Sequence, residues 1–277
     1  MAKRRRIILW IFFLIGIILF LYPVISNVWN LYRNSLLTGE YHETVKQMTP
    51  ERIKKEWKAA KAYNKQHKEN YIMNVDIPEE EYIKTHPYDD LLNPNDNGVM
   101  GQLLIPKINV SLAIYHGLGE EALSQGCGHV EGTSLPIGGK STHAAFAAHR
   151  GLAGAKLFTD LDQVGIGDVF FIEVLNKKLA YQVVKTDVVL PDVTDGLKIQ
   201  QGEDLVTLIT CTPYAVNTHR LLVTGKRIPW KEAQEKAKHL KETPWMDERS
   251  WMRVFFAILF TIFFVYRTKP KKKEEKQ

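Results

Sequence analysis

Leu205 to Arg227 reads LVTLITCTPYAVNTHRLLVTGKR, and both the fold and a chemistry can be read from it. Val206 to Thr210 is a short apolar, β-branched run, the pattern of a buried strand. Leu221 to Lys226 is a second such run. Cys211 closes the first, and Arg220 opens the second nine residues later. A thiol at a strand end, with a guanidinium a short loop away, pairs a nucleophile with an anion-stabilising group. Together with His149 upstream, the arrangement points to thiol-based acyl transfer.

Moving outward, more short β runs appear between turn residues. Met100 to Ile105, Val110 to Tyr115, His143 to Ala148, Asp168 to Leu175 and Leu179 to Leu190 are strand candidates. Asn176-Lys177-Lys178 makes a hairpin between two of them. Thr159 to Val164 suits a short helix. Many short strands at this spacing predict an all-β domain, a closed or nearly closed antiparallel β-barrel.

The flanks differ. Residues 41 to 70 read as a polar helical region, with Thr49 as N-cap and Pro50 in the first turn. Ile53, Trp57 and Ala60 form a narrow apolar stripe, which docks on the barrel or lies near a membrane. Residues 71 to 98, rich in Pro, Asn and Asp, form a long connection of the kind that serves as a lid. Residues 230 to 250 return to helix.

Both ends carry apolar segments. Ile7 to Ile25 can cross a hydrocarbon core of about 30 Å, and Lys3 to Arg6 precede it. A cleaved signal peptide is the other reading. The run exceeds the usual core of about 7–15 residues, however, and Asn27-Val28-Trp29-Asn30 is a poor cleavage site. Val254 to Tyr266 is shorter; Trp251 and Met252 extend it if Arg253 snorkels, and a buried or interfacial helix is the alternative. Arg267, Lys269 and Lys271 to Lys273 follow it. Basic residues beside both segments place both termini in the cytoplasm and the middle outside. The expected organisation is a basic tail (1–6), a transmembrane helix (7–26), a helical extension with a possible lid (27–98), the barrel (99–229), a helical juxtamembrane segment (230–250), a second transmembrane helix (251–266) and a basic tail (267–277). These clusters carry much of the net charge of +6, so the basic balance reflects topology and gives no argument for nucleic acid.

The chain has two cysteines, Cys127 and Cys211. Outside the cytoplasm they could form a disulfide. Cys127 lies in a Gly-flanked turn, Gly126 to His129, whereas Cys211 ends a core strand. No zinc-type spacing surrounds either one, and no metal or cofactor is expected. His149 ends the run AAFAAH before Gly151, a position from which an imidazole can project at a barrel rim. His219 is an alternative base. It adjoins Arg220, so the two point to opposite faces of one strand. Arg220 alone reads as a rim salt bridge or as an oxyanion donor.

The run around Cys211 resembles the active-site signature of sortases, especially the pilin-polymerising class C group. The resemblance extends over residues 99 to 229 through Ile105-Pro106-Lys107-Ile108, Gly128 to Pro136, His149-Arg150-Gly151-Leu152 and Lys156 to Leu161. It implies an eight-stranded sortase barrel without a cofactor. Cys211 would attack the Thr–Gly bond of an LPxTG-like sorting signal and form a thioester. His149 would move the proton, and Arg220 would hold the substrate and stabilise the oxyanion. Thr207 and Thr210 would line the substrate groove. The acceptor would be a lysine amine of the next pilin. The alternatives are a peptidoglycan amine, simple cysteine protease activity, or a non-catalytic, disulfide-bonded binding module on the membrane. Class C members often carry a lid with an Asp-Pro-aromatic triplet. This chain offers only Asp76-Ile77-Pro78 and His86-Pro87-Tyr88, so Asp76, Pro87 and Tyr88 are the lid candidates: either Tyr88 is a variant plug or the lid is absent. Cys127 is expected to be a packed thiol.

Overall fold

The hairpin read from Leu205 to Arg227 organises the barrel. In the computed structural model, which describes residues 2–66, 88–152, 154–238 and 248–268, β7 (Asp204–Thr212) and β8 (His219–Ile228) pair antiparallel from Leu205 opposite Lys226 to Thr212 opposite His219. The other strands are β1 (Val99–Ile105), β2 (Val110–Tyr115), β3 (Cys127–His129), β4 (Thr142–Ala147), β5 (Val169–Val174) and β6 (Lys177–Val189). They close in the order β1-β2-β3-β4-β7-β8-β6-β5. Closure removes the exposed edges that an open sheet would leave.

Two pairs correct the antiparallel expectation: β2 with β3, and β4 with β7, run parallel. Parallel neighbours need a crossover. Helix α3 (Glu120–Gln125) lies within the first connection, and the β5–β6 hairpin lies within the second. The turn expected at Gly126 to His129 is strand β3, which pairs with both β2 and β4. Glycine is needed there for close approach: a Cβ on Gly128 would lie 2.2 Å from the Gly117 carbonyl oxygen. Thr159 to Val164 contributes only a 3-10 turn, Leu161–Gln163.

Alternate residues of β4, β7 and β8 face inward. Ala144, Phe146, Val206, Leu208, Leu221 and Val223 join Leu103, Ile105 and Tyr181 in the core. Each large apolar side chain buried this way contributes about 1.5–3 kcal/mol.

Helix α1 runs unbroken from Ala2 to Gln47, so the chain has no structural break where the apolar segment ends. Its later half lies along the barrel. Asn34 donates to the Gln125 carbonyl (2.5 Å) and accepts from the Ala113 amide (3.0 Å). The Tyr41 hydroxyl donates to Met100 O (2.9 Å) and accepts from Leu175 N (2.8 Å). Helix α2 (Pro50–Gln66) begins as expected, with the Thr49 hydroxyl accepting from Arg52 N at 3.2 Å. Its stripe docks on the barrel: Ala60 and Trp57 are buried, and Trp57 Nε1 donates to Asn176.

Helix α4 (Trp230–Lys238) packs Trp230 on Phe171. Helix α5 (Glu248–Thr268) returns alongside α1. Phe264 stacks on Phe13 at 4.0 Å and meets Trp10, while Phe260 lines a pocket with Gly16, Ile17 and Phe20. As the numbers fall on α5 they rise on α1, so the two helices are antiparallel. Both are long and apolar enough to cross a membrane.

Candidate active site

Three neighbouring strands converge on one site. Cys211, near the end of β7, is registered opposite Arg220, near the start of β8. Directly paired residues share a face of the sheet. On the other side of β7, strand β4 runs parallel, with Ala147 opposite Ile209. The Ala148 amide continues the pairing by donating to Ile209 O at 3.2 Å. The same offset, carried two residues further, sets His149 level with Cys211. The face they share is the outer one, because Ala145, Ala147 and Ile209, on the same parity, pack outside the barrel around Leu197. His149, Cys211 and Arg220 thus fall at neighbouring positions on one face, just past the end of β4 and on β7 and β8.

All three residues are half-buried, and Cys211 carries a free thiol. Arg220 Nη1 donates to the carbonyls of Asn217 (3.2 Å) and His219 (3.1 Å), which holds the guanidinium against the β7–β8 loop. His219 lies on the opposite face, opposite Thr212, with its Nδ1 bonded to Thr218.

The groove expected at Thr207 and Thr210 is corrected. Thr207 is fully buried, and its hydroxyl joins His143 Nε2 (2.8 Å) to Thr224 (2.8 Å). His143 Nδ1 donates to Lys198 O at 2.9 Å and so ties the β6–β7 loop to β4. Burial pushes the His143 pKa down, which keeps the ring neutral. Thr210 faces inward and donates to Ala148 O at 2.8 Å. It fixes the backbone next to His149 and offers no surface to a substrate.

Tyr88 is buried. Its hydroxyl donates to His129 Nδ1 (2.8 Å) and accepts from Gly117 N (3.0 Å). The hydroxyl is therefore committed to β3 and the Gly117 turn. Asp76 and Pro87 lie outside the described residues. His129 Nε2 donates to Ser134 O, and burial lowers its pKa to about 4. Cys127 is fully buried and free, with Sγ 3.5 Å from Ala113 O, and burial pushes its thiol pKa well up. The disulfide reading is thereby excluded.

One residue beside the site entered the sequence reading only as part of the run His149 to Leu152, with no role of its own. Arg150 has a buried side chain that donates to the Thr212 hydroxyl at 3.0 Å and pairs with Asp162. It clamps the residue after His149 to the residue after Cys211.

The comparisons with known proteins bear on the family and the fold. The sortase domain profile matches residues 103–228. Sortase C1 of Streptococcus agalactiae superposes with a TM-score of 0.64 at 43% identity, covering 70% of this chain and 98% of that one. The chain belongs to the sortase family. Sortase C of Streptococcus pneumoniae, whose crystal structure bears on catalysis and pilin substrate specificity, matches at 39% identity with a TM-score of 0.60, over 70% of this chain and 97% of that one. Among curated relatives, sortase A of Streptococcus agalactiae is 30% identical over 129 residues, 45% of this chain. This sortase spans about half (51%) the length of that relative. The eight-stranded closed barrel is the sortase fold, as the resemblance implied.

Proposed function

We propose that this sortase is a membrane-anchored class C cysteine transpeptidase that builds covalent pili. The observation that carries the reading is the lateral order His149, Cys211, Arg220 on three adjacent strand ends of one face. Cys211 Sγ adds to the carbonyl carbon of the Thr–Gly bond in an LPxTG-like signal, and its proton passes to His149. Arg220 leaves its loop carbonyls to meet the developing oxyanion. His149 protonates the departing glycine amine, and a thioester remains on Cys211. A lysine amine of the next pilin, deprotonated by His149, attacks that thioester. The isopeptide bond forms and the thiol is regenerated. Exposed Val188, Leu190 and Val193 at the β6–β7 edge suit the apolar part of the signal.

Two observations favour pilin over peptidoglycan as acceptor. The class C structures match at 39–43% identity over 70% of this chain, and the curated sortase A of Streptococcus agalactiae at 30% over 45% of it. The antiparallel apolar helices and their basic flanks support a topology with both termini cytoplasmic and the barrel outside.

The test is incubation with an LPxTG-type peptide and a pilin ectodomain, followed by mass spectrometry. The expected product is an isopeptide-linked adduct with the wild type and none with Cys211→Ala. Peptide hydrolysis unaffected by any added amine would reject transpeptidation.

A further inference from the structure

We propose that the active-site end of the barrel rests on the membrane surface, with Leu152, Tyr214 and Val216 in the lipid headgroup layer. This rests on the reading that α1 spans the bilayer, and it goes beyond that reading by assigning which end of the enzyme faces the lipid.

The argument starts from the helix. The apolar run ends at Ile25, and α1, with Pro23 inside it, continues as one unbroken helix into the barrel flank without a linker. At about 1.5 Å per residue, a headgroup layer of roughly 5–8 Å per side holds the first four or five residues after Ile25. Whatever touches Ser26 and Asn27 must lie in or against that layer. The segment that touches them is the loop after His149. Lys156 N donates to Asn27 Oδ1 at 2.8 Å. Gly154 is seated on the helix so closely that a Cβ there would lie 2.4 Å from Ser26 Oγ and 3.9 Å from the Tyr22 hydroxyl. The loop is closed on itself, because Phe158 N donates to His149 O at 3.1 Å. The β7–β8 loop adjoins it: a Cβ on Gly151 would lie 2.9 Å from the Tyr214 ring. The two loops that bracket the candidate catalytic groups are therefore linked to the point where α1 leaves the apolar core.

The far end of the barrel lies along the same helix but higher. Tyr41, fifteen residues beyond Ser26 and so about 22 Å further along the axis, bonds to Leu175 beside the β5–β6 hairpin. A helix tilt of about 20° moves a point 10 Å off the axis by only about 3 Å, too little to exchange the two ends.

The surface chemistry fits a lipid partner. Leu152, Tyr214 and Val216 are 41%, 49% and 64% exposed. Single exposed apolar residues are ordinary on any protein. On α1, Tyr22, Trp29 and Tyr32 are exposed as well, and they flank Ser26 and Asn27 in sequence, an aromatic group at the height where such rings collect in membranes.

The test uses the full chain with Cys211→Ala, in which the buried Cys127 does not label, reconstituted in phosphatidylcholine–phosphatidylglycerol nanodiscs containing spin-labelled lipid. A fluorophore is placed at one of four new cysteines: Val216→Cys, Leu152→Cys, Lys178→Cys on the opposite hairpin, and Leu14→Cys within α1. The expected result is quenching at 216 and 152 several-fold stronger than at 178, with 14 quenched most. Equal quenching at 216, 152 and 178 with 14 strongly quenched overturns the seating and leaves the span intact. No quenching at 14 overturns the span and the seating with it. A probe at 216 that ignores lipid but responds to an LPxTG peptide assigns the patch to the substrate, which also overturns the proposal.

Discussion

The two cysteines of this chain are chemically identical and sit in opposite surroundings. Cys127 lies on β3 between β2 and β4, wholly buried, with one carbonyl for company and its thiol pushed towards the protonated form. Cys211 lies near the end of β7, half-exposed, opposite Arg220 and level with His149. A thiol needs access and a neighbouring base or cation to act as a nucleophile, and only the second position supplies them. The same contrast extends to the histidines. His129, on the same strand as Cys127, is held neutral by burial, whereas His149 stands at a half-exposed strand end.

Substitutions can break this comparison, and the largest effect is expected at the nucleophile. Cys211→Ala should lower acyl transfer by on the order of 10⁴–10⁶-fold, with no thioester trapped by mass spectrometry. Cys127→Ala should leave the rate within about threefold. A comparable loss from both variants would dissolve the distinction. Next comes Arg220→Ala, expected to cost about 3 kcal/mol of transition-state stabilisation, or roughly 10²-fold in kcat, as for removal of one oxyanion donor. Near-normal turnover would remove Arg220 from the mechanism.

A pH experiment sharpens the contrast from the β3 side. The His129 pKa is lowered from 6.5 to about 4, so the unfolded chain binds a proton that the native state refuses. The stability from its neutral form is fully present above about pH 6.5. It is lost as pH falls towards 4, by about 3 kcal/mol. His143, shifted in the same direction by burial, adds to the loss. Urea unfolding at pH 7 and pH 4.5 should show this difference, and His129→Gln should reduce it; an identical pH response in both proteins would sink the assignment. Smaller still is Cys127→Ala in stability, about 1–2 kcal/mol from the lost packing. Alkylation of the native protein should modify Cys211 alone, with Cys127 joining only in denaturant. Rapid labelling of both in the native state would contradict the buried position of β3.

Much of this is legible in the amino-acid order. The β7–β8 run was readable because β-branched residues alternate across it and a turn divides it. Thr49 and Pro50 marked the start of α2 because an unsatisfied helix N-terminus needs an acceptor and tolerates a missing N–H. What escaped depends on partners distant in sequence. Gly126 and Gly128 mimic a turn, yet β3 is a strand in close approach to its neighbours, where a Cβ would meet the Ala113 carbonyl at 126 and the Gly117 carbonyl at 128. Periodicity named the strands but not their neighbours, so the parallel pairing of β4 with β7 was hidden. Thr207 alternates like a groove residue, but the β6–β7 loop, tied down through His143 and Lys198, covers it. The end of the apolar run marked the membrane boundary and not the end of α1, because solvent change does not break a helix whose next residues pack on a barrel.

By itself, the amino-acid order determined that the chain carries a barrel of short strands, apolar ends flanked by basic residues, and a thiol, an imidazole and a guanidinium each placed at a strand boundary. Those are local properties, written in alternation, length and neighbouring charge. Only the tertiary structure decided that the three boundaries belong to adjacent strands on one face, that Arg150 ties two of them together, and which cysteine is sealed away. Such choices depend on strand pairing within the closed sheet, which on β4 and β7 brings together residues 62 positions apart and is settled by packing over the whole barrel.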